Sequence, residues 1–284
     1  MELQLKNRLL LLTAISLTIV SCEKDFDYTS PEHSVNQRYS QSMVWNEAYS
    51  YQEIIVKSDE YSILFMGDSH VGTTENLKEF INIAKSSGAS AVAMAGDLTT
   101  TGSEEEYNLL KQCLPQTDSL FSFLTVGNHD LWSNNGWQEF YTLFGPSCYL
   151  FTVKSPVAND LYICLDTGSG TLGTEQFEWF ENILQNQRQD YRRCIVFTHN
   201  NFIRFRHSLI SNPQIEELNK LIELFTRYHV DMLITGHDHE KNTDSFGITT
   251  YVVMEPLKDG VDNAGYLELR IKNGNTLFSF ENFN

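Results

Sequence analysis

The chain has 284 residues, with 20 Lys or Arg against 37 Asp or Glu, and its formal net charge is −17. Such an acidic balance repels the phosphate backbone, and it argues against a surface that coats nucleic acid. The length after about residue 50 suits one large domain, because no linker or internal repeat interrupts the sequence there.

The N-terminus has the pattern of a secretory signal peptide. Lys6 and Arg8 precede the apolar run LLLLTAISLTIV, which is shorter than the roughly 20 residues of a membrane-spanning helix. The run ends in IVSC, which resembles the lipobox of bacterial lipoproteins, with Cys22 as the lipidated residue. We predict a signal peptide over 1–21 and an exported lipoprotein, anchored to the membrane at the periplasmic face or the cell surface. The alternative is a plain signal peptide with an incidental cysteine.

Residues 22–50 are polar, contain a proline and lack strong periodicity, which predicts a tether. The folded domain is then predicted over 51–284. An exported protein could pair its remaining cysteines, although two of them lie in apolar strand-like runs, where a buried free thiol is the simpler interpretation. These four cysteines are Cys113, Cys148, Cys164 and Cys194, and the last two are those in the apolar runs.

Within the domain, short apolar runs alternate with helical patterns. Strands are predicted at 62–66, 91–95, 121–126, 161–166, 194–199 and 230–235, and again in the tail segments TTYVVM, GYLELRI and TLFSFE. Helices are predicted from about Glu75 (apolar face Leu77, Phe80, Ile81 and Ala84), after the capping box Ser103/Glu106, from about Thr174, and after Pro213. This alternation predicts an α/β fold with parallel strands, and the strand-rich tail predicts a second or mixed sheet.

Polar motifs follow five of these strands. They are GDSH after 62–66, GD after 91–95, GNHD after 121–126, the terminal His199 of 194–199, and GHDH after 230–235. Each alone would pass as a turn, a helix cap or a core histidine. Together they hold five of the eight histidines, and in α/β folds the chemistry lies beyond the carboxyl ends of the strands. The ordered set therefore predicts one metal-binding site.

This set (Asp-x-His, Gly-Asp, Gly-Asn-His-Asp, a single His, Gly-His-x-His) resembles the calcineurin-like metallophosphoesterase superfamily over about residues 60–255. The resemblance implies an α/β/β/α sandwich of two mixed sheets flanked by helices, with two divalent metal ions at the strand ends. Carboxylate and imidazole suit Zn, Mn or Fe. Carried over by motif, the first metal is bound by Asp68, His70 and His239, the second by Asn128, His199 and His237, and Asp97 bridges them.

The one-residue spacing inside two motifs carries a geometric expectation. In an extended segment, residues i and i+2 point the same way. Asp68 and His70 should therefore converge, as should His237 and His239. Ser69 and Asp238, the residues between them, should face elsewhere.

The resemblance also implies the reaction: hydrolysis of phosphomonoesters or phosphodiesters by a hydroxide activated between two metals. It assigns His129 to the leaving-group oxygen, as a proton donor or charge stabiliser, and Asp130 is expected to orient that imidazole or raise its pKa. No Gly-x-Ser-x-Gly elbow or P-loop suggests another hydrolase. The alternatives are a narrow cyclic-nucleotide phosphodiesterase and a surface lipoprotein that only binds a metal or ligand.

Two positions depart from related patterns. Thr100 stands where purple acid phosphatases carry an iron-binding tyrosine, so the likeness is nearer to the cyclic-nucleotide phosphodiesterase-like branch. The stretch THNNFIRFRH replaces the His-His-Pro of many relatives, and it brings Arg204, Arg206 and His207 near the site. These residues either bind a substrate phosphate or form a solvated face. The expected partners are a small phosphoester and, through Cys22, a membrane; the oligomeric state stays open.

Overall fold

The computed structural model describes residues 34–115, 120–202 and 215–283. Its helices are α1 (Val35–Tyr49), α2 (Glu75–Ser87), α3 (Glu104–Cys113), α4 (Gly136–Phe144), α5 (Gly173–Asn186) and α6 (Ile215–Arg227). Its strands are β1 (Gln52–Ile55), β2 (Tyr61–Met66), β3 (Ala91–Ala95), β4 (Phe121–Thr125), β5 (Tyr149–Lys154), β6 (Asn159–Cys164), β7 (Arg193–Phe197), β8 (Met232–Thr235), β9 (Asn242–Phe246), β10 (Thr249–Val253), β11 (Gly265–Lys272) and β12 (Asn275–Asn282).

The strands form two mixed sheets. One has seven strands in the order β1-β5-β6-β7-β8-β10-β9, and the other has five in the order β12-β11-β2-β3-β4. The pairs β2/β3, β3/β4, β6/β7, β7/β8 and β8/β10 are parallel. The tail strands divide between the sheets, since β10 joins the first and β11 and β12 the second. The predicted sandwich of two mixed sheets is confirmed.

Three apolar layers hold this sandwich together. The central layer lies between the sheets, where Phe65 of β2 packs edge-on against Phe197 of β7 with ring centroids 5.8 Å apart. A second layer buries the predicted apolar face of α2 against the five-stranded sheet, together with α3 and α4. The third packs α5 and α6 on the outer face of the seven-stranded sheet. Helices therefore cover both outer faces.

Local signals in the sequence place most of these elements correctly. The predicted capping box is present, because the Ser103 side chain accepts from the backbone of Glu106 and the Glu106 side chain accepts from the backbone of Ser103. The helix predicted from Thr174 begins at Gly173. Sequence analysis missed α4, β1, β5 and β9. In β5 the residues from Tyr149 to Val153 are all buried. A strand buried on both faces shows no alternation of polar and apolar residues, so its periodicity gives no signal.

The prediction of a tether up to residue 50 is wrong for residues 34–49, which form α1 and its N-cap. Ser34 and Gln37 make a capping box that starts this helix. Arg38 of this helix is fully buried. Arg38 Nε lies 2.9 Å from Oδ2 of Asp166, and its Nη2 donates to Oδ1 of Asp166 at 3.1 Å and to Ser169 Oγ at 2.9 Å. A weak helical pattern hides this element, because α1 docks through polar side chains and lacks an apolar stripe.

The Arg38–Asp166 pair should be important for stability. Arg38→Met keeps much of the volume but leaves the carboxylate of Asp166 buried without its cation, which typically costs about 3–5 kcal/mol. Urea denaturation should show this loss in the free energy of unfolding. Ser40→Ala, on the exposed side of the same helix where Ser40 bonds Glu175, is the matched control and should cost less than about 1 kcal/mol. Equal losses in both variants would contradict a specific role for the buried pair.

Cys113, Cys148, Cys164 and Cys194 are buried free thiols. Burial raises the pKa of Cys194 to about 12, which keeps this thiol protonated and unreactive. Within the described part of the chain, no helix is long and apolar enough to cross a membrane. Cys22 and Pro213 lie outside the described residues.

Candidate metal centre

All five sequence motifs meet at one end of the sandwich. β2, β3 and β4 of the smaller sheet and β7 and β8 of the larger one lead into them. Backbone hydrogen bonds join the loops that follow: the N–H of Asp68 donates to Gly96 and the N–H of Gly236 donates to His199, both at 3.0 Å. The prediction that the motifs share one edge is confirmed.

Asp68, His70 and His239 form a first cluster, in which one possible ligand atom from each residue lies within 4.8 Å of the others. Nε2 of His70 is 3.3 Å from Nε2 of His239, and that nitrogen is 3.2 Å from Oδ1 of Asp68. Two imidazoles and a carboxylate are a donor set that suits Zn, Mn or Fe.

The second cluster surrounds Nε2 of His199. This atom lies 2.9 Å from Nδ1 of His237 and 3.2 Å from Oδ1 of Asn128. It also lies 3.3 Å from Oδ2 of Asp97. Nδ1 of His199 is 3.0 Å from the carbonyl of Ala95. Because a carbonyl can only accept, Nδ1 carries the hydrogen of the neutral ring, and Nε2 is left with a lone pair.

When the His199 ring is neutral, its lone pair, the amide oxygen of Asn128 and the carboxylate of Asp97 face one another. Such a set needs a positive charge at its centre. A divalent cation meets that need, and the amide can serve only through its oxygen. The chemistry of the donor set therefore fits a metal at both clusters.

Asp97 connects the two clusters. Its Oδ2 lies near Nε2 of His199 and 3.8 Å from Nε2 of His70, a member of the first cluster. Its Oδ1 accepts the backbone N–H of His129 at 2.8 Å. Asp68 is used in the same way, since its Oδ2 accepts the N–H of His237 at 2.8 Å. In each carboxylate one oxygen braces a neighbouring loop and the other faces the cluster.

The ligand loops have an unusual backbone. Five of the candidate ligands have left-handed φ angles: Asp68 (54°), His70 (41°), Asp97 (49°), His237 (70°) and His239 (58°). Non-glycine residues in this region cost on the order of 1–3 kcal/mol when the surroundings must hold them there, and they cluster at functional sites. The conformation is therefore maintained by the contacts of the site.

The expectation of extended segments is accordingly wrong, although its outcome is confirmed. Ser69 turns away and donates to the carbonyl of Leu98 at 2.9 Å. Asp238 turns away as well and accepts from the Asn201 amide at 3.3 Å. The left-handed backbone, and not the alternation of a strand, makes the flanking residues converge.

Glycine is required where the motifs touch. A Cβ on Gly236 would lie 2.3 Å from Oδ2 of Asp68, and a Cβ on Gly127 would lie 2.3 Å from Oδ1 of Asp97. Real Cβ atoms do not approach oxygen so closely. These two glycines make room for the two carboxylates.

His129 lies beside the clusters. Its Nδ1 is 2.8 Å from the carbonyl of Thr100, so Nδ1 carries the hydrogen and Nε2 faces inward, 4.0 Å from Oδ2 of Asp97. Thr100, at the position of the tyrosine of purple acid phosphatases, therefore positions His129 through its backbone. Its hydroxyl donates to the carbonyl of His70 at 3.0 Å.

The expectation that Asp130 orients the ring of His129 is wrong. Its fully buried carboxylate accepts the backbone N–H groups of Leu98, Thr99 and Gly127 at 2.8–3.1 Å and the hydroxyl of Thr99 at 2.7 Å. Burial and the negative charge of Asp97 raise the pKa of Asp130 to about 7. Asp130 supports the backbone on either side of the site. The carbonyl of Thr100, and not the carboxylate of Asp130, orients the ring of His129.

The carboxylate of Asp97 dominates the electrostatics of the site. Burial alone would lower the pKa of His199, but Asp97 outweighs burial and raises it to about 9. For His70 burial prevails over the attraction of Asp97 and lowers the pKa to about 4. Burial would raise the pKa of Asp97. The attraction of His199 outweighs burial and holds the pKa of Asp97 well below its usual range. A bound cation competes with protons for these same atoms.

Sequence analysis missed Trp132. Its ring centroid lies 3.8 Å from that of His129, and 53% of the residue is exposed. A 3₁₀ turn over His129–Leu131 ends at its C-cap Trp132, and in such a turn side chains three residues apart eclipse. That spacing from a motif histidine is the signal that could have found it. Arg204, Arg206 and His207 lie outside the described residues.

Comparison with a family model places these motifs in context. The model described as Calcineurin-like phosphoesterase matches residues 61–241, a range that contains every candidate metal ligand. None of the curated proteins compared with this chain matches it.

Several solved structures have the same fold. One is a dimetal phosphatase from Danio rerio (TM-score 0.61, 12% identity, covering 78% of this chain and 96% of that one). Another is a purple acid phosphatase from yellow lupin seeds (TM-score 0.59, 15% identity, 80% and 52%). A third is GAP50, the anchor in the inner membrane complex of Plasmodium (TM-score 0.62, 13% identity, 78% and 84%). At these identities the likeness shows the fold alone.

Proposed function

Because this chain belongs to the calcineurin-like phosphoesterase family and is a hydrolase acting on phosphoric esters, we propose that it cleaves small phosphomonoesters or phosphodiesters with two divalent metal ions. The observation that carries the proposal is the pair of clusters joined by Asp97. Asp68, His70 and His239 would hold one ion, and Asn128, His199 and His237 the other.

The work divides between the ions and the chain. When bound, the ions supply Lewis-acid chemistry: they polarise the phosphoryl oxygens and make water a stronger nucleophile. The chain supplies a fixed acid–base group, since Thr100 holds Nδ1 of His129 and directs Nε2 inward. When the ring carries a second proton, on Nε2, that nitrogen would donate it to the leaving-group oxygen and leave the ring neutral, or the positive ring would stabilise the charge of that oxygen. The arginines of the 200–207 stretch would bind a second anionic group of the substrate.

The two alternatives are a protein that only binds metal and a narrow cyclic-nucleotide phosphodiesterase. GAP50 shares this fold and is named as an anchor, so the fold by itself does not require catalysis. A protein that only binds metal has no use for an imidazole fixed beside the ligands with a free nitrogen facing them, and His129 therefore favours an enzyme. A narrow cyclic-nucleotide phosphodiesterase would use the same residues, but its substrate is scarce outside the cell.

The decisive experiment is an assay of the full chain after metal removal and reloading with Zn, Mn or Fe. The substrate panel should contain monoesters, diesters, a cyclic nucleotide, and esters with and without a second anionic group. Hydrolysis that returns only with metal supports the proposal. Metal binding without turnover on any ester would favour the binding-protein alternative.

The export proposal rests on Cys22. Cys22→Ser should leave the precursor uncleaved by the lipoprotein peptidase and abolish lipid attachment, because the thiol is the acylation site. The measurement is palmitate labelling in a bacterial host, with Cys113→Ser as the control that keeps the label. Full labelling of the Cys22 variant would contradict the anchor.

A further inference from the structure

Trp132 is a large aromatic side chain presented to solvent beside the candidate metal centre. One face stacks on His129, with ring centroids 3.8 Å apart and planes inclined by 31°. Even so, 53% of the residue remains exposed. Tryptophan is highly buried on average, so an exposed ring next to an acid–base histidine needs an explanation.

The backbone around Trp132 is firmly held. Its N–H donates to the carbonyl of His129 at 3.3 Å, and the next N–H, of Ser133, donates to Thr101 at 2.9 Å. Leu131 and Trp137, on either side in the chain, are buried in the layer beneath. The held backbone and the stacking on His129 favour one position of the ring before any ligand arrives, which reduces the entropy lost on binding.

His129 contacts both Trp132 and one of the candidate metal ligands. His129 contacts the metal-ligand candidate His70 with ring centroids 4.6 Å apart, and its Nε2 lies 4.0 Å from Oδ2 of Asp97. Trp132 contacts the same imidazole by stacking. A path from the clusters to the open indole face therefore runs past His129, the residue proposed to serve the leaving group.

We propose that the open face of Trp132 binds the aromatic base of a nucleoside leaving group, so that nucleotide esters are the preferred substrates. This inference rests on the proposed function and names its substrate class. Base–aromatic stacking tolerates any base, because every base has a π-face. The site would then select nucleotides as a class and would not distinguish strongly among bases.

Distance favours a nucleoside over a simple aryl leaving group. A ring stacked on the far side of Trp132 adds about 3.5–4 Å to the 3.8 Å between Trp132 and His129. The stacked ring is then roughly 7.5 Å from the imidazole that serves the ester oxygen. A phenyl ring attached directly to that oxygen cannot reach so far, whereas a ribose between oxygen and base spans this gap.

The test uses two substrates with the same leaving-group oxygen. Adenosine 5′-monophosphate and ribose 5-phosphate differ only in the base, and both are offered also as methyl diesters. Trp132→Ala should lower kcat/KM for the adenosine ester by roughly 5- to 150-fold, the range for one stacked base. The ribose ester and phenyl phosphate should change little, and Trp132→Phe should recover most of the loss.

Equal losses on the adenosine and ribose esters would show that Trp132 only positions His129, and no loss on either would make it a bystander. A loss on phenyl phosphate equal to that on the adenosine ester would replace the nucleoside with an aryl leaving group. Each of these results overturns the proposal.

A binding measurement separates this inference from the proposed function. In the metal-loaded full chain, adenosine 5′-monophosphate should quench tryptophan fluorescence saturably, and ribose 5-phosphate should not. Trp132→Phe should remove the quench, while Trp179→Phe, on α5 beside Tyr39, should retain it. If no ester is hydrolysed, a Trp132-dependent quench still supports the base site. Its absence overturns the inference whatever the activity assay shows.

Discussion

Asp97→Asn is expected to lose tight binding of both metals together with the hydrolytic activity. Oδ1 of the new amide can still accept the backbone N–H of His129, so the loop should fold. The NH₂ group replaces Oδ2, however, and an NH₂ group only donates and cannot ligate a metal. Metal ions provide several kcal/mol of transition-state stabilisation, and the expected loss in kcat/KM is therefore about 10³-fold or more.

Elemental analysis after dialysis, beside the ester assay, measures both effects. Asp238→Asn is the matched control: it makes the same chemical change inside a ligand motif, but at a carboxylate that faces Asn201. This control should keep both ions and most of the activity. Two full metal equivalents in an active Asp97 variant would contradict the connecting role.

His129→Ala should have a different signature. The variant keeps both metals, because His129 is outside the two ligand sets, but it loses roughly 10²–10⁴-fold in kcat, the usual contribution of a positioned acid–base group. The loss should shrink for esters whose leaving groups are already acidic, since these depart without a proton. Kinetics on a series of leaving groups, together with metal analysis, measures both predictions.

Asn134→Ala, an exposed substitution five residues along the same loop, serves as the control and should leave the leaving-group dependence unchanged. Loss of a metal from the His129 variant would place His129 among the ligands. A loss in kcat that is the same for all leaving groups would remove it from proton transfer.

The sequence predicts which residues form the site better than it predicts which partners those residues bond. The candidate ligands follow from motifs at strand ends that resemble those of a known family, so Asp68, Asn128 and His199 could be named without coordinates. The role of Asp130 could not, because adjacency to His129 in sequence says nothing about where a carboxylate finds its donors. Apart from Gly127, those donors come from Leu98 and Thr99, about thirty residues earlier in the chain.

The same limit applies to the fold. Periodicity reveals amphipathic helices such as α2 and half-buried strands. By contrast, β5 is buried over almost its whole length, and α1 docks through polar contacts, among them the buried pair Arg38–Asp166. The partner of Arg38 is 128 positions away, and no local pattern reports such a contact. For α1 and β5, then, the contacts that stabilise the element are tertiary and leave no local pattern.

The position of helix α1 in the chain limits how far the domain can lie from a lipid anchor. On the proposal that Cys22 carries lipid, Ser34, the N-cap of α1, follows the anchored residue by 12 positions in the chain. A fully extended chain of that length reaches about 43 Å at most, against roughly 100 Å if the tether ran to residue 50. If the lipid anchor is present, the start of α1 would stay within that distance of the bilayer surface, and the enzyme would act on esters released or held close to its own membrane.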